Sequence, residues 1–394
     1  MKFLKYIGLG FLSLVVVLAV AFFILPPPEK PSPSGEHAVG VTEFEVTEGE
    51  RWVLVTAWYP AVLSEGESLP YMEAYLAEAI GEQQGLPPAL LEDPRPSHAV
   101  INAAALPGDH PILLFNHGFG SHAYQNLTQM EELASHGYIV LSISHPGHSL
   151  VTRRMSGELI HQDNPLDMDN IAILTGAMDK ASVDMRESES FHDWAKAASA
   201  LEQGQFVEMP SFVIEWAANN IAVLNAQGRL DTGVIETPLK GHFGTDAIGV
   251  FGHSFGGSVA AHLAYNDARV KAAMSLDSYI YAASLSESLN TPLCVAYGDL
   301  ATAPSNESMA WVNQTLLEEH APKGSCEALF TGATHMNFSD LNHLPGVSFM
   351  GLTGTIDSSL MHNASNQLLL GYFGQHLTGK RTLGDIKGVD LVLY

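Results

Sequence analysis

Residues 248–265 read IGVFGHSFGGSVAAHLAY. Ile248-Gly249-Val250-Phe251 is a short apolar run of strand character, and Ser258–Tyr265 carries the pattern of a helix. Between them Gly252-His253-Ser254-Phe255-Gly256 has the G-x-S-x-G form, extended by Gly257. A turn this tight needs flanking residues without bulky side chains, and it thrusts the serine hydroxyl out above the sheet. The N-terminus of the following helix adds a positive potential where an oxyanion would form. Five residues of this form arise by chance in many chains. The strand before and the helix after are what separate a nucleophile from a merely structural serine.

Working outward, the same rhythm recurs. Ile112–Asn116, Tyr138–Ser144, Ala247–Gly252, Val270–Leu276, Pro292–Tyr297 and Cys326–Thr331 are short apolar runs separated by helical or loop segments. Such runs, apolar on both faces, predict an α/β fold with a mostly parallel sheet covered by helices on both sides. Upstream, Val39–Val46 and Trp52–Tyr59 flank Thr47-Glu48-Gly49-Glu50 and predict an antiparallel hairpin. A Pro-interrupted stretch, Pro60–Gly108, holds a helical patch near Tyr71–Ile80. Residues 150–207 break the rhythm with a polar, acidic insert that has helical pieces around Trp194–Leu201. It reads as a lid or as a solvated surface insert.

A serine hydroxyl needs a base to take its proton and an acid to orient that base. In an elbow of this type the partners follow in the order carboxylate, then histidine. His335 lies four residues beyond the Cys326–Thr331 run, in a loop at a strand's carboxyl end, and is the candidate base. Two aspartates compete as the acid, Asp277 after Val270–Leu276 and Asp299 after Pro292–Tyr297. The oxyanion needs two backbone N–H donors. Phe255 follows the nucleophile, and Phe119 lies in His117-Gly118-Phe119-Gly120 after the first parallel run.

The N-terminus carries a different signal. Lys2 and Lys5 precede an apolar run from Tyr6 to Leu25, followed by Pro26-Pro27-Pro28. Twenty such residues in a helix rise about 30 Å, the thickness of a bilayer core. Residues 1–25 are therefore expected to be a membrane anchor with a cytoplasmic N-terminus and the rest of the chain outside the cytoplasm. Ala19-Val20-Ala21 offers a cleavage site that would make the protein secreted, but Phe22–Leu25 continue the apolar run beyond it. Residues 26–36 read as a Pro-rich linker, and 37–394 as the catalytic domain.

The 394 residues include 43 Asp+Glu against 18 Lys+Arg, a net charge of −25. This argues against a nucleic-acid partner, whose phosphates require clustered Lys and Arg. His145-x-x-His148 has metal spacing but no acidic or Cys neighbour, so no metal and no cofactor is expected. Cys294 and Cys326 lie at similar heights in the fifth and sixth parallel runs. Because a bridge straight across neighbouring strands often fits disulfide geometry badly, two buried thiols are expected.

With these pieces in place, the chain from about Trp52 to about Gly379 resembles the secreted platelet-activating-factor acetylhydrolases, of the α/β-hydrolase superfamily. The likeness rests on Pro111–Gly120 (PILLFNHGFG), Leu133–Ser144 (LASHGYIVLSIS), Gly252–Gly257 (GHSFGG), Leu276-Asp277 and Gly332–Asp340 (GATHMNFSD). It continues through Thr355–Leu377, where IDSS, SN and a final HL recur in order. The resemblance implies Ser254 as nucleophile, His335 as base and Asp277 as acid, with Phe119 and Phe255 as oxyanion donors and no metal. It implies hydrolysis of short acyl esters, the sn-2 acetyl ester of a phospholipid among them. Tyr297-Gly298-Asp299 with Gly332–His335 also resembles bacterial cutinases and polyester hydrolases, where the acid maps to Asp299. A reading from another class is a non-catalytic, membrane-tethered binding module, against which stands the presence of Ser254, His335 and both aspartates. The expected partners are a small-molecule or lipid ester and the membrane through the N-terminal helix. No protein partner is expected.

Overall fold

The computed structural model describes residues 30–163, 196, 208–280, 289–299, 313–314, 316–318, 321–344, 347–348 and 350–394. The apolar run 6–25, and with it the expected anchor, lies outside the described residues. So does most of the insert's second half, including the helical pieces expected near 194–201. Among the described residues no helix is long and apolar enough to cross a membrane.

The N-terminal hairpin joins β1 (Ala38–Glu48) to β2 (Arg51–Ala61), with Glu48 opposite Arg51 and Gly49 at φ 62° in the turn. β3 (Ser68–Met72) and α1 (Ala74–Gln84) follow, then β4 (Asp93–Ile101). The helical patch therefore starts only at Ala74, because Ser68–Met72 pairs with β4. β5 (His110–Asn116), α2 (Leu127–Ser135) and β6 (Ile139–Ile143) open the parallel part. The insert begins with a small separate hairpin, β7 (Val151–Arg153) and β8 (Leu159–His161). α3 (Met209–Asn225), α4 (Gln227–Asp231), β9 (Phe243–His253) and α5 (Phe255–Asn266) lead through the elbow. β10 (Val270–Leu276), β11 (Leu293–Gly298), β12 (Cys326–Phe330), α6 (Ser358–Phe373) and β13 (Val389–Leu393) complete the described elements used below.

One sheet takes the order β13-β12-β11-β10-β9-β5-β6-β2-β1-β4-β3. The six runs expected from the sequence are the six consecutive parallel strands β6-β5-β9-β10-β11-β12. Alternate residues of each strand feed opposite layers, as a period of two requires. Ile112 and Leu114 of β5 pack with α3 and α5, whereas Leu113 and Phe115 pack with α2 and α6. In β11, Leu293, Val295 and Tyr297 face the first layer and Cys294 and Ala296 the second. Both faces are covered, which is why these strands read as unbroken apolar runs.

The register sets the site. Asn116 pairs with Gly252, His253 with Leu276, and Leu276 with Ala296, so neighbouring strands end at one level. The chain runs from β5 to β6 on one side and later returns to β9 on the other. The strand order thus reverses between β5 and β9, where a doubly covered sheet opens a crevice at its carboxyl edge.

The register also corrects one expectation. Cys294 and Cys326 are paired residues of β11 and β12, and they form a disulfide rather than two thiols. Their side chains share one face at directly opposed positions, with the Cα atoms 4.3 Å apart. The bond closes a loop of 32 residues. Removing it with Cys294→Ala/Cys326→Ala is expected to lower stability by about 2–4 kcal/mol. Denaturant unfolding of the variant beside the oxidised protein checks this.

Three deeply buried histidines make a second prediction. Burial pushes His117 and His253 down to about 3, and His145 well below its ordinary value. The folded values lie below the unfolded one, so the unfolded chain takes up protons first as pH falls. Below about pH 6.5 each histidine is expected to remove about 1.4 kcal/mol of stability per pH unit. Unfolding free energies measured from pH 7.5 to 5 should therefore fall steeply, and a flat profile contradicts the assignment.

Candidate active site

Ser254 stands between β9 and α5 at φ 55° and ψ −130°. A non-glycine residue there costs on the order of 1–3 kcal/mol and persists only where its surroundings dictate it. Its N–H is bonded to Leu276 C=O at 2.9 Å, and its C=O accepts from Gly257 N–H at 2.8 Å. The flanking glycines are required by crowding. A Cβ on Gly252 would lie 2.2 Å from Gly256 O, and one on Gly256 would lie 2.0 Å from Asn116 O. The loop after β5 also comes near, since a Cβ on Gly118 would sit 3.3 Å from Ser254 Cβ, a tight contact. Ser254 itself remains partly exposed.

The two residues expected as base and acid meet beside it. Asp277, just past β10, also has a positive φ of 51° and is buried. Its N–H bonds Ala296 C=O at 2.8 Å, and its Oδ1 accepts the Gly298 N–H at 2.7 Å. Oδ2 accepts from His335 Nδ1 at 2.6 Å. Burial alone would raise this carboxyl, but the hydrogen bond and charge of His335, with the Gly298 N–H, hold it below the usual range. With the Nδ1 proton given to Asp277, the Nε2 of a neutral His335 is left as the acceptor.

His335 opens a short 3₁₀ turn, His335–Phe338, capped by Thr334. Asn337 Oδ1 accepts from Thr334 N–H and from Gly354 N–H, both at 2.8 Å, and so staples the turn to the following loop. This is the physical use of the asparagine in the H-x-N-F segment. Asp299, the rival acid, lies one strand further along. Its Oδ2 accepts Gly332 N–H at 2.8 Å and its N–H bonds Ala333 C=O at 2.7 Å. It braces the segment before His335, while the carboxylate that meets the imidazole belongs to Asp277.

The Phe119 N–H is aimed by its own peptide plane. The Gly118 C=O accepts from His117 Nδ1 at 2.7 Å and from Ser121 N–H at 3.0 Å. A trans peptide points its N–H away from its C=O, so fixing one fixes the other. Among the described residues none accepts the Phe119 N–H. Phe255, directly after the nucleophile, is the first residue of α5, so its N–H lies at the helix N-terminus.

Several neighbours were not foreseen from the sequence. Phe119 stacks on Phe212 and Trp216 of α3 at 5.9 and 6.2 Å between ring centres, and meets Phe255 edge-on at 5.6 Å. His148 accepts from Trp216 Nε1 at 2.7 Å, and His145 stacks on the same indole at 3.7 Å. His145 also bonds Asn116 and Asn219, so the H-x-x-H pair serves in this packing. The signal available was the aromatic spacing of Phe212 and Trp216, one helical turn apart.

The chain aligns over 375 residues with the platelet-activating factor acetylhydrolase of Gallus gallus at 22% identity, covering 89% of this chain and 84% of the relative. The Bos taurus platelet-activating factor acetylhydrolase aligns at 22% identity, covering 88% and 77%. A solved ferulic acid esterase from Streptomyces cinnamoneus superposes with a TM-score of 0.68 at 20% identity, covering 92% of this chain and 98% of that one. Residues 28–387 match the family described as platelet-activating factor acetylhydrolase, isoform II, and the chain belongs to that family.

Proposed function

We propose that the protein is a serine carboxylic-ester hydrolase working through an acyl-enzyme. The observation that carries the proposal is the 2.6 Å bond between buried Asp277 and His335 beside the strained elbow serine. Ser254 Oγ attacks the ester carbonyl as His335 Nε2 takes its proton, and Asp277 steadies the resulting imidazolium. The Phe119 and Phe255 N–H groups receive the oxyanion. His335 returns the proton to the leaving alcohol, and water repeats the cycle on the acyl-enzyme.

The surroundings support a substrate class. Phe119, Phe212 and Phe255 close an aromatic wall against the oxyanion loop, which favours a short or flat acyl group. An acetyl ester fits this reading, and kinship with the Gallus gallus and Bos taurus acetylhydrolases favours an acetylated phospholipid. Likeness to a ferulic acid esterase supports a second reading, a broader exported esterase that accepts aromatic acyl groups. The Cys294–Cys326 disulfide supports an oxidising compartment for the domain, with residues 1–25 as its anchor.

Ser254→Ala is expected to abolish ester turnover and labelling by a fluorophosphonate. Asp277→Asn should lower kcat by about 10⁴-fold, while Asp299→Asn should cost far less. The reverse order would return the acid's role to Asp299.

A panel of p-nitrophenyl esters from acetyl to dodecanoyl, beside a 2-acetyl ether phospholipid, separates the substrate readings. The first expects a steep fall in kcat/KM with chain length and cleavage of the phospholipid. Broad chain tolerance with the phospholipid untouched would favour the second.

A further inference from the structure

We propose that Gln125 is a positioning residue that ties the oxyanion loop to the base loop through His253. This rests on the esterase reading above. Gln125 lies in the segment between β5 and α2, almost wholly buried, and no motif of the chain marks it out. Its Oε1 accepts the Gly118 N–H at 2.8 Å, immediately before Phe119. Its Nε2 donates to His253 Nδ1. His253 Nε2 in turn bonds the His335 C=O at 3.0 Å. Three side-chain-mediated links thus run from the donor loop after β5, through the residue before the nucleophile, to the backbone of the base. The imidazoles of His253 and His335 lie 4.6 Å apart between ring centres.

The ends of this chain fix its direction. A backbone N–H only donates, and a backbone C=O only accepts. His253 must therefore carry its proton on Nε2 and offer Nδ1 as an acceptor, which requires it to be neutral. Burial and the neighbouring His335 favour that state by pushing His253 down to about 3. Position 125 must then present an acceptor to Gly118 and a donor to His253 at once. A carboxamide does this, a carboxylate lacks the donor, and Asn falls one methylene short.

The consequence is mechanical. Gly118 lies beside Ser254, where a Cβ added to it would come 3.3 Å from the serine Cβ, and the Gly118–Phe119 peptide aims the oxyanion donor. A shift of the Gln125 amide would move this loop relative to His335. Misplacements of about 1 Å in such a site cost up to roughly 100-fold in rate.

The test compares Gln125→Leu, Gln125→Glu, His253→Phe and Gln125→Leu/His253→Phe in the full-length protein. Each is assayed on p-nitrophenyl acetate, with active sites counted by fluorophosphonate titration so that unfolded protein does not contribute. Wild-type turnover is measured first, because its absence would sink the esterase reading rather than this one. Gln125→Leu is expected to lower kcat per active site by roughly 10- to 100-fold, with KM within about threefold. The double variant should be no slower than the slower single one, because both break one chain of bonds.

Gln125→Glu keeps the Gly118 link and loses the His253 link, so it should also lose at least tenfold in kcat. It decides the matter if the Leu variant does not fold. A readout independent of turnover is the downfield proton NMR signal of the Nδ1–H that His335 shares with Asp277, which should shift or broaden in Gln125→Glu. Wild-type kcat in either Gln125 variant, a loss confined to KM, or an unmoved proton signal would overturn the proposal.

Discussion

The closeness of two backbones at the carboxyl edge of the sheet is the constraint on which the site depends. The end of β5 passes so near the turn after β9 that neither Gly252 nor Gly256 has room for a Cβ. That approach forces Ser254 into its positive-φ conformation and keeps the loop 117–120 within touch of it. The register then sets the rest, because β9, β10 and β11 end at one level and deliver Ser254, Asp277 and Gly298 side by side. Substituting Ala at Gly252 or Gly256 would meet backbone, which cannot step aside as a flexible side chain can.

Electrostatics at this edge are arranged around one buried carboxylate. Asp277 is surrounded by donors, namely His335 Nδ1 and the Gly298 N–H, which offset the cost of its burial. His117, His145 and His253, pushed down by burial, stay neutral around it. His117 gives one proton to the Gly118 carbonyl and accepts from Ser149 at 2.8 Å, so its hydrogen-bonding capacity is used without charge. His145 is likewise satisfied by two asparagines. A second positive charge close to His335 would oppose the imidazolium that the reaction forms. Neutral histidines supply directional hydrogen bonds without that opposition.

This division explains what the sequence made legible. The six parallel strands were readable because burial on both faces demands apolar residues at every position, and the elbow because its glycines are dictated by local crowding. The edges were not. β4 carries Pro94 and Pro96 and alternates in burial, but its inward positions begin with Asp93, Arg95 and Ser97, so no apolar pattern marks it, and β13 is short and largely exposed at the opposite edge. The disulfide was misread because a bridge straight across neighbouring strands was expected to fit badly, whereas the register sets Cys294 directly against Cys326 and the two are bonded with Cα atoms 4.3 Å apart. Gln125 had no local pattern at all, since its partner His253 is 128 residues away and becomes a neighbour only once β5 and β9 pair.

The same reasoning locates where a family sharing this edge can vary. In the proposed mechanism Ser254, Asp277, His335 and the two backbone donors act on any ester carbonyl and discriminate little among acyl groups, so selection would lie in side chains that border them. Here those are Phe119, whose backbone is the proposed oxyanion donor while its ring packs among Phe212, Trp216 and Phe255, and Phe212, held by α3 at the far side of the stack. α3 follows directly on the insert, so changes in the insert's length or path would move Phe212 without disturbing the register that aligns Ser254, Asp277 and Gly298. The hydrogen bond from Trp216 to His148 opposes such movement by tying α3 to the loop after β6. Chemistry and selection therefore rest on different elements, the first on strand ends locked by backbone pairing and the second on a helix held by aromatic stacking.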